Sequence, residues 1–539
     1  MQEFDVLVIG GGAAGLRAAI AAKRAGASVA LITKAHPLRT NSGLAQGGIN
    51  APLGKDDSPE SFAADILAAG DGLCDRSVVQ ALAQDAVKEV VWLERMGVPF
   101  NRDGEGRIDR RSFGSNSRRR SCYTDDRTGF LVLQVLHEQF QRQGIPSFEE
   151  WFVTSLAVDA GACVGVTALG LRSGKLDGFA ARAVVLATGG FTRMYLPSTV
   201  SIGTTGDGQA LAFLAGARLL DMEMVQFHPT VFPKRQSLLV TEATLSEGAE
   251  IVNQKGEVIE KSKGMPRAQL CLSIAQASGN GDGGAFLDLK PIGKEKLLSR
   301  FPQTHELLRS VAGLDATKDL IPIHPVAHRP MGGIETNASG ETSVPGLFAV
   351  GECACNGLNG AGRLAGNTLT EAVVFGRKVG EAAAAHVKST ASRNFPTSKL
   401  ADEEKRFAAA TGADSSSDTL GKVHAALGQL MNEKVGLTRD ASGLEAALDG
   451  IKKLQDRYQK IRVRNPSRIF NYELTTYLEV GSMLTLAENV ALCAHARTES
   501  RGAHRRTDFP DSDNNNWRNH TIVKRVQNSP QVEKKPVAS

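Results

Sequence analysis

The hydrophobic pattern begins almost at once. Phe4, Val6, Leu7, Val8 and Ile9 form a short apolar run, the pattern of a strand buried in a parallel sheet. Gly10, Gly11 and Gly12 follow, and helical spacing then runs from Ala13 to Arg24. Val29 to Thr33 reads as a second strand. Strand, glycine turn, helix and strand within about 30 residues is the unit that binds a dinucleotide.

Further along, the pattern predicts helices over 60–100, a basic Ser-rich stretch over 107–120, and a buried strand from Ala183 to Thr188 ending in Gly189-Gly190. Thr204 to Leu214 reads as a glycine turn entering a helix. Residues 226–330 change to short mixed elements, the mark of an inserted domain. A strand is expected over Val344 to Val350 and a long helix over 361–387. Residues 400–500 are helical in pattern, with Leu420, Val423, Leu427 and Leu430 at helix spacing. The last thirty or so residues are polar and Pro-bearing, the composition of a wandering tail. No internal repeat is evident.

Composition narrows the class. Lys+Arg is 63 and Asp+Glu 58, a net +5 over 539 residues, too mild for a protein that binds nucleic acid through bulk charge. Hydrophobic residues make up 42% and charged residues 22%, as in a globular chain. No run reaches the ~18 apolar residues a spanning helix needs. No export signal is read, so a reducing cytoplasm is the expected compartment. The seven Cys form no CxxC pair, so no metal or iron–sulphur site is expected in this chain. Gly is in excess, 56 residues in discrete clusters, which marks places where backbone approaches a ligand.

Gly10-x-Gly12-x-x-Gly15 lies between the first strand and helix, where pyrophosphate can reach the helix N-terminus. The second strand ends in Thr33-Lys34, without the acidic residue that NAD folds place there for the ribose. NAD is therefore disfavoured. Asp207 and Glu352 are the alternative acidic partners for ribose or ribitol hydroxyls.

Other motifs follow in order: Ala45-Gln46-Gly47-Gly48-Ile49, Ala187-Thr188-Gly189-Gly190, Thr205-Gly206-Asp207-Gly208, and Gln226-Phe227-His228-Pro229-Thr230. Then come Thr241-Glu242, His328 with Met331-Gly332-Gly333, Gly351-Glu352, Gly362-Arg363-Leu364-Ala365-Gly366-Asn367, and Glu499-Ser500-Arg501-Gly502-Ala503-His504. From residue 4 to about 520 the chain resembles the flavoprotein subunits of succinate dehydrogenase and fumarate reductase, relatives of L-aspartate oxidase.

The resemblance implies an α/β fold: a Rossmann-type FAD-binding domain with an inserted α+β capping domain and a C-terminal helical domain. The expected boundaries are 1–225 and 335–390 for the FAD domain, 226–334 for the cap, 391–510 for the helical domain and 511–539 for an extended tail. FAD would contact Gly10, Gly12, Ala13, Ala14 and Gly15, then Thr33, Lys34, Thr40, Asn41 and Ser42. Further contacts fall at Ala45, Gln46, Gly47, Gly48 and Val153, and at Ala187, Thr188, Gly189 and Asp207. Glu352, Arg363, Asn367, Thr368 and Leu369 complete the set.

The implied substrate is a C4 dicarboxylate between flavin and cap. A diacid needs cationic or donor groups at both ends, and Arg pairs bidentately with carboxylate. His228 and Thr241 are expected to hold one carboxylate, and His328 and Arg363 the other. Arg267 is the position that matches the family's proton-transferring Arg, with Glu242 behind it. Phe113 and Gln46 are expected beside the reacting carbons. The electron partner is expected to be an iron–sulphur subunit or another donor, which could hold the chain at the cytoplasmic face of a membrane.

Departures from the family pattern discriminate among its members. Membrane-bound relatives attach FAD covalently through a His where this chain has Asn41, so FAD is expected to be non-covalent here. A covalent link generally raises the flavin potential; its absence tilts the chain towards fumarate reduction or oxidase chemistry. L-Aspartate oxidases place a Glu where Phe113 stands, and an ammonium against Phe113 would lack a counter-charge. A dicarboxylate without an amino group is therefore expected. The relay Arg position is Leu245, Ala268 replaces the usual Asp, Asn359-Gly360 and Gly362 alter the loop before Arg363, and Arg329-Pro330 stands where Tyr-Met is common. L-Aspartate oxidase remains an alternative, as does an electron-transfer subunit with a degenerate pocket.

Overall fold

The computed structural model describes residues 1–233, 237–260, 264–278, 284–391, 393–412 and 418–538. β1 (Gln2–Ile9), α1 (Ala13–Arg24) and β2 (Val29–Thr33) lie where the apolar pattern predicts them. β1 pairs in parallel with β2 on one side and with strand Leu176–Leu186 on the other. Ser147–Glu149 extends the sheet beyond β2, and Leu347–Ala349 joins Leu176–Leu186 in parallel. Trp151–Asp159 and Ala162–Gly170 complete it in antiparallel pairing. The third strand starts seven residues before its apolar run at Ala183 because antiparallel pairing with Ala162–Gly170 captures its first half. Helix Asn367–Ser389 returns late in the sequence and packs against α1, so one fold is closed by two distant stretches of chain. The helix expected over 361–387 starts at Asn367, since the preceding residues form the glycine-bearing loop.

The cap is entered and left through a two-strand ladder. Val225–Phe232 pairs antiparallel with His324–Pro330, with Gln226 opposite Arg329 and His228 opposite Val326. Above the ladder, one apolar cluster runs from Phe232 to Ile323 and also takes in Phe113 and Ala365 of the FAD-binding part. The cap's own core thus lies inside the expected 226–334, because the ladder residues Phe227 and Ala327 pack into the FAD-side core instead. The sheet Val258–Glu260, Glu250–Val252, Phe286–Asp288 and Ile321–Pro322 forms the cap's strand layer. Helix Arg267–Ser278 packs across the ladder.

Helices Ser398–Ala410, Leu420–Lys434, Ala441–Lys460 and Tyr472–Ala496 follow. Among the described residues no helix is long and apolar enough to cross a membrane.

The extended tail expected over 511–539 is corrected by the structure. Asn519–Val526 and Ser529–Pro536 form a β-hairpin that joins strands Leu219–Leu220 and Gly333–Glu335. Its two-residue loop, Gln527-Asn528, has φ +48 and +67, the doubly left-handed turn that matches strand twist. The polar composition of this segment belongs to its exposed edge strand, while Ile522 and Val523 are buried. The hairpin is fixed by buried charge. His520 Nδ1 lies 2.6 Å from Asp221 Oδ2, and Thr521 Oγ1 donates to Glu223 at 2.6 Å. Arg497 Nε donates to Glu223 at 2.6 Å and Arg497 Nη1 to Glu499 at 2.9 Å.

Burial lowers the His520 pKa, but the carboxylates of Asp221 and Asp75 outweigh it and raise it to about 10. The imidazolium therefore contributes stability that is fully present below its ordinary 6.5 and is lost as pH rises through about 10. Replacing His520 by Ala leaves Asp221 buried without its partner, a change of roughly 3–5 kcal/mol for a buried pair. The expected result is a lower apparent melting temperature at pH 6.5, and a gap from the parent protein that closes by about pH 10.

Candidate active site

The β1–α1 turn, the loops at 33–48, the cap and the start of the Asn367–Ser389 helix line one cavity of about 540 Å³. At the turn, Gly10 has φ +111, and a side chain there would strike the Ala187 carbonyl. A side chain on Gly15 would strike the Gly10 carbonyl and meet the Ala187 Cβ at 3.1 Å. α1 starts at Ala13 with no side-chain cap from Gly12, although Ser42 Oγ accepts from the Ala13 N–H at 3.1 Å. The remaining first-turn N–H groups form an anion-binding terminus.

Lys34 Nζ donates to Asp207 at 2.6 Å, Glu479 at 2.8 Å and Thr205 at 2.9 Å. Burial alone would lower the Lys34 pKa, but the two carboxylates raise it and keep the ammonium charged. Asp207 is thus already engaged, whereas Glu352 keeps Oε1 buried and unpartnered among the described residues. Burial raises the Glu352 pKa against the opposing pull of Arg329. Thr40 Oγ1, Gln46 Oε1 and Thr188 Oγ1 are buried and likewise unpartnered among the described residues. A ligand with an anionic centre and several hydroxyl and ring polar groups satisfies this set, and FAD has that chemistry.

Arg111, fully buried, shapes the Ala45–Gly48 loop by donating to the carbonyls of Gln46 at 2.8 Å, Gly47 at 2.8 Å and Asp125 at 3.0 Å. Burial pushes its pKa down to about 10. Phe113 lays its ring against Gly47, which has no side chain to block it. Asn41 Oδ1 accepts from the Ser201 N–H at 3.2 Å.

The ladder brings the cations together. His228 and His328 have ring centroids 5.0 Å apart at 71°. His328 Nδ1 lies 2.7 Å from Thr199 Oγ1, and His228 Nε2 lies 3.7 Å from Glu242 Oε2. Arg267 opens its helix and pairs with Glu242 through two donors, Nε–Oε1 being 3.1 Å. Arg267 Nη1 also donates to Gln226 Oε1 at 2.5 Å, while Gln226 Nε2 donates to the Arg363 carbonyl at 3.1 Å. One glutamine amide thus joins the cap's arginine to the Arg363 loop. Thr241 Oγ1 accepts from the Ala243 N–H at 3.3 Å.

Burial sets the electrostatics. It drives the His228 pKa down to about 3, with Glu242 opposing and Arg267 and Arg363 assisting. His328 is lowered by burial and by the neighbouring cations. Burial raises Glu242, but its ion pair with Arg267 outweighs this and holds it ionised. Arg363 is depressed by burial, then by Arg267 and Arg329. Its Nη1 donates to the Leu364 carbonyl at 3.2 Å, its Nε is unpartnered, and it has no carboxylate partner among the described residues.

Of the residues expected to contact cofactor or substrate, all line this cavity except Gly15, Glu242 and Asn367. Asn367 Oδ1 accepts from Asn50 Nδ2 at 2.7 Å. Leu245 packs with the cap's apolar cluster. Sequence reasoning missed Arg111, Thr199, Glu479 and the linking role of Gln226, which no local motif announces. His36, His137 and Glu149 bring three ligand-type atoms within 4.8 Å. His36 Nδ1, however, accepts from the Leu38 N–H at 3.2 Å, which keeps the ring proton on Nε2. Metal-bound His donates that second proton to a neighbour instead.

A two-part dinucleotide domain with a cap closing over a cationic pocket defines an FAD-dependent oxidoreductase. Residues 5–369 match the FAD binding domain family, and residues 424–539 match the family described as fumarate reductase flavoprotein C-term. The fumarate reductase flavoprotein subunit of Mycobacterium tuberculosis is 36% identical, over 97% of this chain and 95% of that one. The succinate dehydrogenase flavoprotein subunit of Rickettsia conorii is 34% identical, over 97% and 93%. A solved variant of the E. coli quinol fumarate reductase subunit FrdA superposes with a TM-score of 0.95 at 34% identity, covering 100% of this chain and 98% of that one. The chain belongs to the fumarate reductase/succinate dehydrogenase flavoprotein family.

Gly15→Val is expected to yield folded protein without bound flavin. The check is visible absorbance per polypeptide after purification, and a full complement of flavin would contradict the close approach of α1 to the β1 turn.

Proposed function

We propose that this chain reduces fumarate or a closely related C4 dicarboxylate, with FAD bound non-covalently and electrons delivered by an iron–sulphur partner subunit. The observation that carries the reading is Arg363: a buried guanidinium without a carboxylate among the described residues, beside two neutral imidazoles. A dianion supplies what this group lacks.

FAD, when bound, supplies hydride transfer. The chain's own residues do the rest. His328 and Arg363 hold one carboxylate, and His228 and Thr241 hold the other. Fixing both ends aligns the central carbons and draws electron density towards the carboxylates, which favours charge development next to them. Arg267 gives a proton to the carbon adjacent to the one that takes the hydride. Glu242, its ion-pair partner, returns the proton, taking the place of the relay lost at Leu245. Cap closure excludes water from this exchange. Phe113 and Gln46 wall the site; Phe113 offers no counter-charge to a substrate ammonium, which favours a diacid over aspartate. Asn41 has no imidazole to attach the cofactor, which supports a dissociable FAD. With no cluster motif in the sequence, the partner carries the relay, and through it the chain sits at the cytoplasmic face of the membrane.

The test is anaerobic turnover of fumarate by reduced viologen, set against peroxide formation from L-aspartate in air; peroxide without fumarate turnover would move the assignment to L-aspartate oxidase. Acid precipitation is expected to leave the pellet colourless and the flavin in solution; a yellow pellet would refute the dissociable cofactor. Arg267→Ala is expected to lower kcat roughly 10²–10⁴-fold, the weight of a general acid, with flavin content unchanged. Near-normal kcat in that variant would remove Arg267 from the proton step.

A further inference from the structure

Arg329 is a second buried guanidinium in the same cavity. It is 3% exposed and belongs to the cavity wall. Its Nη2 donates to Glu371 Oε2 at 2.7 Å. Its Nε and Nη1 are buried without a partner among the described residues. Leaving buried charged donors unmade costs several kcal/mol, so a ligand acceptor is expected opposite them.

That acceptor is not the diacid. On the proposed reading both substrate carboxylates already have their donors, two at each end. Arg329 also follows His328 on one strand, and successive strand side chains point to opposite faces. The His328 ring turns to His228 and Thr199. Arg329 turns instead to Glu371, on the helix whose first residues Thr368 and Leu369 line the cavity. Asn359 Nδ2 donates to the same Glu371 oxygen at 3.2 Å, which fixes the pair. Glu352, the free acidic group assigned to cofactor hydroxyls, is within range of the Arg329 charge.

Resting on that reading of a dissociable FAD, we infer that Arg329 faces the cofactor's reacting ring and stabilises the negative charge the ring gains on reduction. A fixed cation in a low-dielectric site favours the charged, reduced form and so raises the potential. Arg329 thereby supplies by charge what Asn41 cannot supply through a covalent bond.

The probe is sulfite, titrated against the holoenzyme and followed by loss of flavin absorbance. Its sulphur lone pair forms a bond to ring N5, and the displaced electron pair leaves negative charge at the far end of the ring; no proton is released. Arg329→Gln is expected to weaken sulfite binding at least tenfold and to lower the two-electron midpoint potential, by about 30 mV for each tenfold. Arg329→Lys is expected to fall between the two. Glu371→Gln removes the counter-charge and is expected to strengthen sulfite binding and raise the potential. A flavin-loaded Arg329→Gln with unchanged sulfite affinity and potential overturns the inference, and so does one in which only malonate binding weakens. If Arg329→Gln does not fold, an unchanged potential in Glu371→Gln overturns it. A covalent flavin in the parent protein is a different failure, seen on acid precipitation before any variant is made, and it falls on the reading of the cofactor.

Discussion

Buried positive charge is the constraint around which the active centre is built. Two guanidinium groups, Arg329 and Arg363, are buried in one cavity, and a third, Arg267, is partly buried beside them. Two of the three have carboxylates: Glu242 for Arg267 and Glu371 for Arg329. Among the described residues Arg363 has carbonyl contact but no carboxylate. Taking an ion out of water costs several kcal/mol unless a counter-ion compensates. The imidazoles respond by staying neutral, with His228 lowered to about 3. The resting site is therefore short of negative charge, and a dianion is the ligand that relieves it.

Holding such a set in place takes rigid supports from several parts of the chain. The two-strand ladder carries Gln226, His228, His328 and Arg329. The cap contributes Arg267 and Glu242, and the late glycine loop contributes Arg363. Gln226 binds the last two pieces together, accepting from Arg267 and donating to the Arg363 carbonyl. The contact of the cap with the FAD-binding part is thus polar at the reacting centre and apolar around it, where Phe113 and Ala365 join the cap's own cluster. An apolar rim lowers the local dielectric and strengthens each charge inside it.

The cofactor end follows a different logic. There the surface offered is chiefly backbone, the bare turn at Gly10 to Gly15 and the start of α1, where Ser42 meets the Ala13 N–H. Side chains act chiefly as braces. Lys34 is held by carboxylates from two domains, Asp207 and Glu479, and Arg111 pins three carbonyls around the Ala45–Gly48 loop. Among the described residues Glu352 keeps a buried, unpartnered acidic oxygen beside the cavity.

Much of this was legible in the residues because backbone-dictated features are local. A glycine turn between an apolar run and a helix is written in fifteen consecutive positions, and β1, α1 and β2 formed where that pattern places them. The motifs also named site residues, nearly all of which lie on the cavity wall. They could not show that Asp207 is spent on Lys34 while Glu352 is free, because that choice depends on residues more than a hundred positions apart. The closing hairpin was hidden for a related reason. Its outer strand is polar on both faces, and its order comes from His520 and Thr521 meeting Asp221 and Glu223 some three hundred residues earlier. Composition alone therefore suggested a tail. The sequence by itself determined the cofactor fold and the kind of chemistry, since those rest on short-range geometry and on residue type. Only the tertiary structure decided which buried charges are paired and which are left for a ligand, because pairing is a property of distance in space.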